Sequence, residues 1–158
     1  MASGILEQGP SEVLLVANRR RNGSVDWSPP GGVIETGEAP DRALSREVAE
    51  ETGLVVSAWS EPLYEVCVDF VEMQMDLTVF VFRALGWSGS ITFEDPDGIV
   101  HDADFLDTEA CRERLFAGPP WVGDPMLQWM HERWSDTRTF SYEVRGSRLD
   151  AMHVIRRE

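Results

Sequence analysis

An α/β (α+β) domain with a central mixed sheet is the fold class this sequence predicts, and three observations carry it. Short apolar runs of strand length precede, flank and follow one amphipathic helix. The 158 residues suit a single domain, 1–158, large enough to bury a real core. Hydrophobic residues at 42% and charged residues at 27% place the chain among globular rather than disordered proteins. No internal repeat, low-complexity stretch or linker divides it.

Val13–Ala17 is a short apolar run and predicts a buried strand. Arg19-Arg20-Arg21-Asn22-Gly23 follows as a turn, with Asn-Gly its strongest signal. Trp27-Ser28-Pro29-Pro30-Gly31-Gly32 reads as a rigid loop, since prolines cannot donate in a ladder and glycines permit unusual dihedrals. Val33-Ile34 is expected to form a brief strand after it. A helix is expected from about Ala39 to Thr52: Pro40 suits its first turn, Ala43, Leu44 and Val48 form its apolar face, and Gly53 suits its C′ position. Further strands are expected at Val55–Ala58, Leu63–Phe70, Asp76–Phe82 and Ile99–Phe105, with loops at Gly86–Gly89 and Glu94–Gly98. Helices are expected at Thr108–Leu115 and Pro125–Trp134, split by Gly118-Pro119-Pro120. Phe140–Val144 and Leu149–Ile155 read as a closing hairpin.

A formal net charge of -14 makes the chain a poor binder of duplex nucleic acid, which needs Lys and Arg to neutralise phosphates. No apolar run approaches the roughly 20 residues that span a bilayer, so no membrane association is expected. The first eight residues lack the basic and apolar regions of a signal peptide. A cytoplasmic location is therefore expected. Cys67 and Cys111 make neither a disulfide framework nor a metal-finger spacing, and two reduced thiols are expected.

The end of the first helix breaks a local rule. Arg46-Glu47-Val48-Ala49-Glu50-Glu51 places three carboxylates where the macrodipole is negative. Like charges three and four residues apart also repel, by roughly 0.2–0.5 kcal/mol per pair. At about 100° per residue Glu47, Glu50 and Glu51 share one side of the helix, away from Leu44 and Val48. Such a cluster is either a solvated face or a cradle for positive charge. Oxygen ligands alone favour Mg²⁺, or Mn²⁺, over zinc. Carboxylate-held Mg²⁺ usually implies a phosphate substrate. The Pro-Pro-Gly-Gly loop can bring backbone carbonyls close to such a metal. Arg46 lies four residues before Glu50, and Glu38 four before Arg42, so ion pairing can orient part of the cluster.

Gly32, Glu38, Arg46, Glu47, Val48, Glu50, Glu51, Gly53 and Leu54 resemble an intact Nudix box, G-x5-E-x7-R-E-U-x-E-E-x-G-U with U a bulky aliphatic. No specified position departs. The resemblance implies a Nudix-type α/β/α sandwich and Mg²⁺-dependent hydrolysis of a phosphoanhydride in a nucleoside diphosphate linked to another moiety. It implies metal ligation by Glu47 and Glu51, with Glu50 a ligand or a water-mediated contact, and by the carbonyl of Gly31 or Gly32. It gives Arg46 the task of orienting the acids, and Glu38 that of supporting the loop–helix geometry or an outer metal site. Glu47 is the first choice for general base; Glu94, Asp95, Asp97 and Asp102 are the alternatives.

The resemblance leaves three functions open. The first is a nucleoside triphosphate diphosphatase, such as one acting on 8-oxo-dGTP. The second is an ADP-ribose or nucleotide-sugar pyrophosphatase. The third, of another class, is a catalytically weak ligand sensor on the same fold. A small nucleotide-type molecule is the expected partner, and a homodimer is an open arrangement. Arg19 and Arg20 either face the phosphates or form an exposed turn, and arginine suits forked phosphate contacts. Trp87 and Trp121 either stack a base or pack in the core. His101 and His153 read as structural.

Overall fold

A computed structural model gives the architecture and describes residues 1–94, 96–148 and 151–158. The chain opens with β1 (Ala2–Ile5), β2 (Glu7–Gln8), β3 (Glu12–Arg19), β4 (Val25–Ser28) and β5 (Gly31–Gly32). The acidic helix α1 (Pro40–Thr52) follows, then β6 (Val55–Trp59), β7 (Tyr64–Phe70), β8 (Met75–Ser88) and β9 (Val100–Leu106). Helices α2 (Thr108–Phe116) and α3 (Pro120–Glu132) precede β10 (Arg138–Arg145) and β11 (His153–Arg157). Among the described residues no helix is long and apolar enough to cross a membrane.

One mixed sheet runs β11-β10-β7-β8-β1-β5, with β6 joined to β8. Strands β10 and β7 are parallel, as are β1 and β8, while β7 and β8 form an antiparallel hairpin. A second sheet runs β2-β3-β4, with β9 on β3. Alternation along β3 explains the layers. Leu14 and Val16 join a core with Leu44 and Val48 of α1, whereas Val13 and Leu15 join one with Cys111, Leu115, Met126 and Trp129 of α2 and α3. The sheets therefore lie between α1 on one side and the α2–α3 pair on the other, an α/β/α sandwich. At the far end of α3, Glu7 accepts from both Arg83 and Arg133 and ties β2 to β8 and the helix terminus.

Several expectations need correcting. Val33-Ile34 is not a strand; the strand is Gly31-Gly32, paired antiparallel with Ser3 and Ala2 of β1. A Cβ at Gly31 would stand 2.2 Å from the carbonyl oxygen of Ala2, so this pairing requires glycine. Gly86-Trp87-Ser88 is not a loop but the end of β8, held by β6 through a bulged register. Trp87 stacks on Phe105 at 5.1 Å and donates to the carbonyl of Glu7 at 3.0 Å, so it packs within the fold. Helix α3 starts at Pro120 rather than Pro125; Pro120 takes the first position, where a missing N–H is harmless, and Pro125 is carried inside. The tail hairpin is present as β10 and β11, while Leu149 and Asp150 of the expected second strand lie outside the described residues. Both cysteines are free, as expected.

Candidate active site

Helix α1 delivers its acids to the loop that precedes it. Gly53 closes the helix in the left-handed region, φ 76°, with its N–H on the Ala49 carbonyl. The last turn holds no basic residue, so the helix does not offset its own negative end. The offset comes from one turn earlier. Arg46 Nε and Nη2 each donate to Glu38 at 3.1 Å, as a fork, while Nη1 donates to Glu47 at 2.9 Å and reaches Glu50 at 3.5 Å. Nη2 also reaches the Val33 carbonyl at 3.3 Å, tying the helix to the loop. Glu38 accepts in addition from the Glu35 N–H at 3.1 Å. The Arg46 fork and that N–H hold its carboxyl below the usual carboxylate range.

Two glycines let the loop lie against the acids. The Gly31 N–H donates to Glu51 at 3.2 Å. At Gly32 a Cβ would stand 2.3 Å from the carboxyl carbon of Glu47 and 2.5 and 2.7 Å from its two oxygens. The bare Cα is thus the seat of the Glu47 carboxylate. Burial raises the Glu47 carboxyl above its ordinary value; Arg46 opposes this, and Glu50 and Asp97 add to it.

Among the described residues no three His, Cys, Asp or Glu side chains already form a metal-holding cluster, and Arg46 bridges Glu47 and Glu50. The set nonetheless fits a hard divalent cation. Its donors are carboxylate oxygens from Glu47, Glu50 and Glu51 beside backbone at Gly31 and Gly32, and its charge is in excess of the one guanidinium present. Of the alternative bases, Asp97 is near enough to affect Glu47, whereas Asp102 is turned to the Ala103 N–H at 2.9 Å. Glu94 is exposed, and Asp95 lies outside the described residues.

Gly31 also borders a cavity of about 300 Å³ on the α3 side of the sheet. Its floor is Val66, Leu77, Val79 and Val81, and Trp121 and Val122 of α3 form a wall. Arg20 and Ser28 stand on its rim. Arg20 is paired with Asp26 at 2.9 Å, whereas Arg19 ends β3 as an exposed side chain outside the cavity. No local signal in the sequence marks this floor or Ser3. The run Leu63–Phe70 marks a strand, but nothing in it marks a space left above one face. Strand β1 carries little periodic signal in its four residues, and its partner, β8, lies far along the chain.

A family model described as NUDIX domain matches residues 2–130. An "Oxidized purine nucleoside triphosphate hydrolase" of Danio rerio is 32% identical over 85 residues, 54% of this chain and 54% of that protein. A "MutT-like protein" of Streptomyces ambofaciens is 49% identical over 43 residues, 27% of each chain. The chain thus spans about half the length, or less, of these curated relatives. Among solved structures, a MutT protein from Bacillus halodurans aligns with TM-score 0.64 at 19% identity, covering 97% of this chain and 95% of that one. A MutT protein from Methanosarcina mazei Go1 gives 0.66 at 18%, covering 84% and 91%. These two are likenesses of fold. The family match extends over most of the sequence and includes every residue of the loop and helix just described: the chain belongs to the Nudix family.

Proposed function

We propose that this protein is a Mg²⁺-dependent pyrophosphohydrolase that cleaves a phosphoanhydride in a nucleotide-type small molecule, a nucleoside triphosphate first among them. The observation that carries the reading is the seating of Glu47 against Gly32 by Arg46, beside a cavity that reaches Gly31. Nudix hydrolases generally use divalent metal ions. Here Glu47, Glu50, Glu51 and the backbone of Gly31 or Gly32 would hold Mg²⁺, with Mn²⁺ as a substitute. Bound there, such an ion would supply charge neutralisation for the diphosphate and would lower the pKa of a nearby water.

The residues of the chain do the rest. Arg46 keeps Glu47 and Glu50 from splaying apart, and Glu38 fixes the plane of its guanidinium. Glu47, whose carboxyl burial raises, accepts the proton of the attacking water. The water oxygen bonds to phosphorus and the P–O–P bridge breaks. Arg20, held by Asp26 at the cavity rim, contacts the phosphates. The cavity takes the organic group. ADP-ribose and nucleotide sugars are the second substrate choice, and the Danio rerio relative's printed name supports the first.

A substrate panel tests this. Phosphate or pyrophosphate release from nucleoside triphosphates, ADP-ribose and nucleotide sugars is followed with Mg²⁺, with Mn²⁺ and with chelator. Metal-dependent turnover of a panel member is expected. Tight binding without turnover across the whole panel would favour a ligand sensor instead.

A further inference from the structure

The cavity beside Gly31 is lined mostly by apolar side chains, with Tyr64 and the Met1 terminus, whose ammonium donates to the Thr78 carbonyl, also at its edge. Arg20, Ser28 and Ser3 line the end near Gly31. The floor away from it is hydrocarbon: Val81, Val79 and Leu77, three successive inward positions of β8, with Val66 beside them. The row continues in the same alternation to Met75, which is 43% exposed, at the mouth of the β7–β8 hairpin. Val71 and Met73 of the same turn are also exposed, and Phe70, opposite Met75, packs edge-on against the cavity wall at Trp121. From Val81 to Met75 the strip extends about 20 Å at the usual rise per residue. A hydrocarbon chain laid along Val81, Val79, Leu77 and Met75 would meet hydrocarbon.

The geometry points to a second substrate class for this site: diphosphate esters of apolar alcohols, with the diphosphate at Gly31 and Arg20 and the hydrocarbon laid along Val81, Val79, Leu77 and Met75. This rests on the reading above that a diphosphate is bound and cleaved beside Gly31. The reaction balances in the same way. Water oxygen bonds to one phosphorus, the bridging P–O bond breaks, and the proton passes to Glu47 and then to solvent. The products are the alkyl monophosphate and inorganic phosphate.

The full-length chain with Mg²⁺ is assayed on decyl diphosphate, butyl diphosphate and dGTP. The expected kcat/KM for decyl diphosphate is within roughly tenfold of that for dGTP and at least roughly tenfold above that for butyl diphosphate. Val79→Thr, which puts a hydroxyl on the floor, should lower the decyl-to-dGTP ratio by roughly tenfold. Met75→Gln, at an exposed position that the fold does not depend on, should remove the advantage of decyl over butyl. Cleavage of dGTP without cleavage of decyl diphosphate would overturn the inference and leave the proposed function standing. If neither is cleaved and the nucleotide panel above is also not turned over, the proposed function fails; whenever neither is cleaved, calorimetric binding of decyl monophosphate decides the rest. Binding tighter than that of dGMP and weakened by Val79→Thr supports the apolar subsite, and no binding overturns it.

Discussion

Replacing Gly32 with alanine should separate catalysis from folding. The added Cβ would lie 2.3 Å from the Glu47 carboxyl carbon. To restore an ordinary 3.4 Å contact the carboxylate must retreat by about 1 Å. It can do so, because it is the end of a flexible side chain. The backbone of Gly32 is not in the left-handed region, so alanine is tolerated there and stability should change by about 1 kcal/mol or less. A displacement of about 1 Å in a reacting group lowers turnover by about 100-fold, equivalent to about 2.7 kcal/mol in the barrier. The measurement is kcat for phosphoanhydride hydrolysis beside a thermal melt of the same sample. Gly31→Ala is the contrast: its Cβ meets the backbone oxygen of Ala2 at 2.2 Å, so the β1–β5 pairing must shift at a cost of about 1–3 kcal/mol. A Gly32→Ala enzyme with wild-type kcat would refute the seating of Glu47 as a catalytic feature.

Three further outcomes follow from the same cluster. Arg46→Ala removes the partner shared by Glu38, Glu47 and Glu50, so the metal-free melting temperature should fall, and Mg²⁺ should recover part of it by supplying the missing charge; no Mg²⁺ response in melts of this variant would count against the metal cradle. The raised Glu47 carboxyl gives a pH signature: its favourable contribution is complete below the unfolded value of about 4.3 and is lost as pH rises through the higher folded value. In chelator, Glu47→Gln should therefore melt above wild type at neutral pH, with the gap closing toward acid pH, and a gap independent of pH would show that burial of the charge is not the cause. Cys111, buried and with its thiol pushed up to about 12, should resist alkylation in the native protein and react on unfolding, as mass analysis of labelled protein would show.

The acidic helix was legible because its signals are local. Pro40, the Ala43–Leu44–Val48 face and Gly53 specify α1 within a few turns, and the charge pattern marks its odd end. The box also named the acids that the fold brings against Gly31 and Gly32. What the sequence concealed is long-range. Gly31-Gly32 is a strand only because Ala2-Ser3 lies beside it, and Trp87 is in a strand only because Val56 pairs with it. Arg20 looks like one of three equivalent arginines until Asp26, across the β3–β4 hairpin, turns it to the cavity. The cavity itself arises where α3 begins over β7 and β8, a spacing that no run of residues encodes on its own.

The most direct test of metal-assisted hydrolysis by the α1 glutamates is a turnover in ¹⁸O-labelled water, with Mg²⁺, of the wild type beside Glu51→Gln. Glutamine at 51 can still accept from the Gly31 N–H, so the fold should persist while the cradle loses a charge. The account predicts one ¹⁸O in a phosphate product from the wild type, none with chelator, and a loss of orders of magnitude in the folded variant. Equal ¹⁸O incorporation by wild type and Glu51→Gln would contradict it.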